Sequence, residues 1–97
     1  MKIRFGNIAD TLVGIKEIEV QESNLQKIFQ SISQSLKKRV ELIVDEKEES
    51  VYLVAEKDGK LLKSWVVALN NGINILDVDV NSLREGELVV FVPVSGG

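Results

Sequence analysis

The residues best placed for chemistry stand at the end of the sequence, where Gly96 and Gly97 follow Val94 and Ser95. Glycine has no Cβ, so a Gly-Gly end can pass through a channel that is too narrow for other residues. Its terminal carboxylate would then reach a partner's active site as an acyl group for activation. In an extended conformation, residues 94–97 reach about 13 Å beyond Pro93. The plainer alternative is a frayed or artificial chain end.

The rest of the chain offers few groups for catalysis. It contains no cysteine and no histidine, which excludes thiol nucleophiles, Ser-His triads, Cys/His zinc sites and disulfides. The acidic run 45–49 lacks the ligand spacing of a calcium loop, and the Asp77/Asp79 pair is explained by alternating exposure. We therefore expect no metal site and no catalytic side chains.

Composition favours one small domain. The chain has 97 residues, of which 44% are hydrophobic, and a formal net charge of −3. This balance disfavours nucleic acid or an anionic membrane as the main partner. No apolar stretch approaches the length of a membrane span. We expect a cytoplasmic protein with a folded domain at 1–93 and a flexible tail at 94–97.

Hydrophobic periodicity predicts a hairpin followed by a helix. Residues 2–5 and 16–20 alternate between apolar and polar side chains, which is typical of two antiparallel strands, and 6–14 should form the loop between them. Ser23 is the expected N-cap of a helix that ends in the basic run 37–39. The apolar stripe of this helix comprises Leu25, Ile28, Phe29, Ile32 and Leu36.

The second half of the chain predicts further strands. Asp58-Gly59 and Asn70-Asn71-Gly72 are strong turn signals, and the polar turn 84–87 leads into the final strand. Both faces of that strand, 88–94, are apolar, which is typical of a strand in the middle of a sheet. Its second face would be either an exposed protein-binding surface or covered by residues 41–68.

The order of strands, helix, further strands and terminal Gly-Gly resembles the ubiquitin-like β-grasp fold. The ending Val90-Phe91-Val92-Pro93-Val94-Ser95-Gly96-Gly97 resembles the tail of the MoaD family, the small subunit of molybdopterin synthase. The stretch 82–89 is similar to that family's lead into the last strand, and Leu12-Val13-Gly14 to its first hairpin. The region 40–66 is longer than is usual in the family.

This resemblance implies an α+β fold, with a mixed sheet packed on one main helix and a flexible Gly-Gly tail. It also implies a sulfur carrier. A partner of the ubiquitin-activating type (MoeB/ThiF-like) would use ATP to adenylate Gly97, which would become a thiocarboxylate, and no cofactor would be bound by the carrier itself. A MoaE-like large subunit would receive the tail. Gly96 would allow passage, Pro93 would stiffen the exit, and Phe91, Val94 and Ser95 would contact partners.

Several alternatives stay open. The same chemistry would serve a carrier for thiamine synthesis (ThiS family), a carrier for tRNA thiolation, or a modifier conjugated to lysine. A different class is a ubiquitin-like interaction module in which only the sheet surface binds and the glycines are inert.

Overall fold

The computed structural model describes residues 1–94, and these form an α+β fold with one mixed sheet and two α-helices. In chain order the elements are β1 (Lys2–Gly6), α1 (Ala9–Val13), β2 (Glu17–Glu19), α2 (Leu25–Leu36), β3 (Val40–Asp45), β4 (Ser50–Lys57), β5 (Lys60–Asn70), β6 (Ile73–Asn74), a 3-10 helix (Ile75–Asp77) and β7 (Glu87–Phe91).

The strand order across the sheet is β2-β1-β7-β5-β4-β3, and the short β6 pairs with β5 outside this path. The first and last strands, β1 and β7, are parallel, with Ile3 opposite Leu88 and Phe5 opposite Val90. Every other pair is antiparallel, including the expected β1–β2 hairpin. The prediction that the final strand lies inside the sheet is confirmed, because β7 is flanked by β1 and β5.

Helix α2 supplies one side of the core. Four of the five predicted stripe residues are buried, and Leu36 packs against the core in a half-buried position. The Phe29 ring meets the Phe5 ring edge to face, with centroids 6.4 Å apart and planes at 79°. Strands β1, β3, β4, β5 and β7 contribute the buried side chains Ile3, Phe5, Val40, Val51, Leu53, Ala55, Val66, Ala68, Leu88 and Val90, and the remaining buried core residues are Met1, Ala9, Val13, Val20, Ile75 and Leu83.

Both predicted ends of α2 are wrong by one or more residues. The N-cap is Asn24, whose side chain accepts a hydrogen bond of 3.1 Å from the Lys27 backbone N–H, and not Ser23. At the other end, Lys37 adopts the left-handed conformation (φ 55°) that terminates the helix. The basic run 37–39 therefore follows the helix, where it leads into β3, and does not form its last turn.

The predicted loop 6–14 contains a helix. Residues Ala9–Val13 form one short turn of α-helix, with Ala9 and Val13 buried and Gly14 as its left-handed cap. Asp10 is half-buried and Thr11 is exposed on this turn, and five residues are too few for a helical period to be visible in the sequence. Packing of α1 against the sheet therefore stabilises a helix that is too short to be stable by itself.

Residues 40–70 form a three-stranded antiparallel meander that extends the sheet beyond β7. Asp58 and Gly59 have φ values of 54° and 79°, as a two-residue type I′ hairpin turn requires, so this prediction is confirmed. This region lies beside β7 in the same sheet and does not fold over the second face of β7, where Val89 and Phe91 are half-buried.

Among residues 1–94, no helix combines the length and the apolar character needed to cross a membrane.

Candidate functional site: the two ends of the last strand

The candidate site is built around β7, because the predicted carrier tail follows this strand directly. Leu88 and Val90 are fully buried on the side that faces α2, and Val89 and Phe91 lie on the opposite side. We call this opposite side the outer face of the sheet. With ladder partners on both edges, β7 can move only if two sets of backbone hydrogen bonds break.

Two asparagines hold the start of β7. The side chain of Asn70, which is only 2% exposed, donates to the carbonyl oxygens of Arg84 and Glu87 at 3.0 and 3.1 Å and accepts from the Arg84 N–H at 2.9 Å. Its neighbour Asn71 donates to the Glu85 carbonyl and accepts from the Glu87 N–H, both at 2.9 Å. These five side-chain bonds fix the turn that starts the strand.

Gly86 is required in this turn for two reasons. Its φ of 138° lies in a region that side chains rarely adopt. A Cβ at this position would also lie 2.2 Å from Oδ1 of Asn71, which already accepts a hydrogen bond from Glu87. The polar turn expected at 84–87 is therefore confirmed, and its glycine has a specific role.

A third asparagine holds the end of β7. The Nδ2 of Asn7 donates to the Val92 carbonyl at 2.7 Å, and the Asn7 carbonyl accepts from the Val92 N–H at 3.1 Å. Both backbone polar groups of Val92 are thus bonded to one residue. Asn7 has a φ of 30°, which asparagine tolerates better than most residues because its short side chain bonds locally.

Ile8, next to this clamp, has a strained backbone. Its φ of 73° is unusual for a β-branched residue, and such a conformation costs about 1–3 kcal/mol. Its side chain is 55% exposed, so core packing does not explain the strain. Strain and exposed apolar surface together, beside the end of β7, mark this point as a candidate contact surface.

Only some of the predicted site residues lie within the described part of the chain. Phe91 is the last residue of β7 and is half-buried on the outer face, Pro93 is also half-buried, and Val94 is 74% exposed. Ser95, Gly96 and Gly97 lie outside the described residues. The chain after β7 is therefore fixed at Val92 and is solvent-exposed at Val94, the one described residue of the predicted tail 94–97.

The outer face beyond Phe91 is largely apolar. Phe91 is opposite Val67 of β5, and on the same face Trp65 of β5 is opposite Tyr52 of β4, which is opposite Ile43 of β3. Trp65 is 55% exposed, and the Lys63 ammonium lies 4.4 Å from the centre of the Tyr52 ring. Exposed aromatic side chains on a sheet face are typical of protein interfaces.

Sequence reasoning missed Asn7, Asn70, Asn71 and Trp65 as functional candidates. Asn70 and Asn71 were predicted only as turn residues, Asn7 lay within the expected loop 6–14, and Trp65 lay in the region of the expected further strands. Exposed Trp65 had one usable signal: it alternates with the apolar pair Val66 and Ala68, which predicts opposite faces for them.

The described residues offer no metal centre. Among residues 1–94, no three or more Asp or Glu side chains are grouped so that they could hold an ion. Every buried side-chain nitrogen and oxygen in this part of the chain has a hydrogen-bond partner. What the arrangement can do is hold and present the chain that follows β7.

Comparison with known protein families, with curated protein sequences and with solved structures gave no significant match.

Proposed function

We propose that this protein is a ubiquitin-like sulfur carrier of the MoaD type, with a β-grasp fold. The parallel pairing of β1 and β7 in the middle of a mixed sheet, with α2 packed across one side, supports the fold. The region 40–66, which is longer than is usual in that family, forms β3, β4 and most of β5. These strands widen the sheet at one edge and leave β7 in its interior. The Gly-Gly end of the sequence supports the carrier role.

The proposed chemistry takes place on the Gly97 carboxylate. This carboxylate attacks the α-phosphate of ATP in the active site of the activating partner, pyrophosphate leaves, and an acyl adenylate forms. A sulfur nucleophile at the oxidation level of sulfide then forms the C–S bond as the C–O bond to AMP breaks. The product is a thiocarboxylate. No oxidation occurs at the glycine, and the carrier itself needs neither an acid nor a base.

The observation that carries the proposal is the anchoring of β7 at both ends. A carrier must present its terminus from a fixed position, since a loosely attached arm would lose effective concentration at the partner's active site. Asn70 and Asn71 fix the start of the strand and Asn7 fixes Val92. Gly97 follows Val92 by five residues, which is about 17 Å in an extended chain.

The docking surface that we assign to the carrier surrounds the exit of β7. It comprises Phe91, Pro93 and Val94, with exposed Ile8 beside them. The activating enzyme (MoeB/ThiF-like) and the MoaE-like large subunit would both use this surface, because each must accept the same tail. Gly96 and Ser95 would lie inside the partner's channel, and small side chains suit that position.

Mass spectrometry of the intact protein tests the proposal. The protein would be purified from its native cells and measured with and without an alkylating reagent. We expect a fraction in which sulfur replaces one oxygen, and fragmentation should place the alkylated group on Gly97. The same measurement establishes whether Gly97 is the last residue. An unmodified Gly97 in cells that are making the sulfur-containing product would contradict the proposal.

A second experiment uses variants with a purified activating enzyme. Deletion of Gly97 should abolish the ATP-dependent release of pyrophosphate, whereas Asn81→Ala, a change in an exposed loop at a side chain that forms no hydrogen bond with the three asparagines holding β7, should not affect it. Identification of the large subunit or enzyme that co-purifies would distinguish the molybdopterin, thiamine and tRNA pathways. A lysine-linked adduct would instead identify a protein modifier.

An interaction module is the second candidate, and one observation favours it. Trp65 and Ile43 are exposed on the outer face, Trp65 on β5 next to β7 and Ile43 on β3, two strands further from it. If the outer face alone is functional, deletion of Gly97 would leave partner binding unchanged and Trp65→Ala would abolish it. The carrier proposal predicts loss of activation on deletion of Gly97.

A further inference from the structure

A groove lies between helix α2 and the free edge of β3, and the tail has no part in it. It has a volume of about 1150 Å³. Its floor is apolar, with almost fully buried Phe29 from α2 and half-buried Leu42 and Val44 from β3, and three exposed glutamines of α2 form the opposite wall. Leu42 and Val44 are only half-buried although they are on the core side of the sheet.

The backbone of β3 is incompletely bonded on this side. The Glu56 N–H donates to the Arg39 carbonyl at 2.9 Å, and in an antiparallel ladder such bonds recur at every second residue. The N–H and C=O groups of Glu41 and Ile43 therefore point toward β4. Those of Val40, Leu42 and Val44 point toward the groove.

At Val40, the Ser33 hydroxyl forms hydrogen bonds with both of the groove-facing backbone groups. It accepts from the Val40 N–H at 3.0 Å and donates to the Val40 carbonyl at 2.8 Å, as a neighbouring strand would. Among residues 1–94, the corresponding groups of Leu42 and Val44 have no protein partner, because β4 is the one strand that pairs with β3. The open edge therefore has room for one short added strand beyond Ser33.

The groove is basic at the end where β3 begins. Lys38 and Arg39 line this end, and Glu41 is the sole carboxylate in the lining. Arg39 pairs with Glu41 at 3.0 Å. The Lys38 ammonium lies beside Gly14 and forms no ion pair with any residue in 1–94, so its long side chain is free to turn toward a carboxylate in the groove. This local excess of positive charge contrasts with the net charge of −3 for the whole chain.

We propose that this groove binds an extended peptide of a partner protein, which adds a strand antiparallel to β3. The peptide would exchange main-chain hydrogen bonds with Leu42 and Val44 and pack its apolar residues against the half-buried side chains of these two residues. Its acidic residue would follow these apolar residues, because the C-terminal end of an antiparallel strand lies beside Lys38. This site goes beyond the carrier function and does not depend on Gly97.

An NMR titration tests the proposal with a defined probe. The probe is a synthetic hexapeptide amide of valine, isoleucine, valine, leucine and two aspartates, added to the ¹⁵N-labelled full chain. The amides of Leu42 and Val44 should shift and become protected from exchange, while those of Glu41 and Ile43, already bonded to β4, should change less. A control peptide with two lysines in place of the aspartates should bind more weakly.

Matched variants separate the charge from the backbone contribution. Lys38→Glu should weaken binding about fivefold, since it replaces a surface attraction with a repulsion of similar size. Lys37→Glu makes the same charge change at a residue that does not line the groove, and it should leave binding unchanged. Val44→Pro should remove binding because it deletes an edge-facing N–H, and an edge strand tolerates this change.

Three results would overturn the proposal. One is the absence of shifts at Leu42 and Val44 up to about 1 mM peptide. Another is equal weakening by Lys38→Glu and Lys37→Glu. The third is sedimentation of the free protein as a dimer whose β3 amides are already protected, because a second copy would then occupy the edge. Failure of the Gly97 measurements would leave these outcomes unaffected, since the probe does not contact the tail.

Discussion

Asn70→Ala is the substitution that most directly tests how β7 is anchored. Asn70 is the one buried polar residue among those described, and its side chain makes three hydrogen bonds to the backbone of the turn 84–87. Alanine would remove all three bonds and leave the turn's backbone groups without these partners in a protein interior. The start of β7 would keep its backbone pairing with β5, where Asn70 is opposite Leu88, but would lose these side-chain bonds to the turn.

The expected cost follows from these three bonds. A buried hydrogen bond contributes about 1 kcal/mol net, so the loss of three lowers the free energy of unfolding by about 3 kcal/mol. The Glu87 carbonyl keeps a second bond, from the Asn71 N–H at 3.1 Å, which reduces the penalty for that group. For a domain of this size, 3 kcal/mol corresponds to a decrease in Tm of about 12–24 °C.

Urea unfolding, followed by circular dichroism, measures this effect. The midpoint should fall while the m-value stays constant, because the surface exposed on unfolding is almost unchanged. Asn81→Ala is the matched control: its side chain accepts one hydrogen bond of 3.4 Å at an exposed position, so the change should be below about 0.5 kcal/mol. A loss of less than about 1 kcal/mol for Asn70→Ala would refute the anchoring role.

Three further substitutions test other parts of the site. Gly86→Ala should lower the free energy of unfolding by about 2–4 kcal/mol through backbone strain and steric overlap, whereas Gly6→Ala, at a negative φ with ordinary contacts, should change it by less than about 1 kcal/mol in the same urea assay. Asn7→Ala should increase hydrogen exchange at the Val92 amide about fivefold through the loss of the side-chain bond, and an unchanged rate would contradict the clamp. Trp65→Ala should change stability by less than about 1 kcal/mol in urea unfolding, because the indole is mostly exposed; a larger loss would show a structural role instead of a docking role.

The sequence pattern correctly predicted those elements whose structure is determined by residues that are close together in the sequence. The stripe on α2 has a clear helical period, Asp58-Gly59 dictates a type I′ turn, and the first two strands alternate cleanly. For these features a few neighbouring residues determine the structure. The interior position of β7 was also predictable, because a strand that is apolar on both faces must be covered or docked.

The incorrect predictions concern features that depend on contacts with residues distant in the sequence, such as the N-cap of α2. Ser23 and Asn24 are both good N-cap residues, so the sequence does not distinguish them. In the structure the Ser23 carbonyl accepts from the Leu83 N–H at 2.8 Å, and the Leu25 N–H donates to the Val80 carbonyl at 2.8 Å. The loop before β7 therefore determines where α2 begins, and no pattern within residues 20–30 contains that information.

The asparagine contacts were missed for the same reason. Asn7 bonds to Val92 across 85 residues of sequence, and Asn70 bonds to Arg84 and Glu87 across 14 and 17 residues. An asparagine in a turn predicts the turn itself, since its side chain usually bonds nearby. Which backbone groups it reaches depends on the sheet order, and the parallel β1–β7 pairing is what brings Asn7 beside Val92.

The sheet order also separates the two proposed sites. Three strand spacings of about 4.8 Å lie between β7 and β3, so the edge of β3 is about 14 Å across the sheet from the strand that carries the tail. A peptide at that edge would therefore leave the Val92 clamp and the outer face near Phe91 open. Because these surfaces do not overlap, one partner can hold the carrier at β3 while another accepts Gly97. Lys38→Glu should then reduce peptide binding without lowering the rate of Gly97 adenylation, and a parallel loss of both activities would show that the sites are not independent.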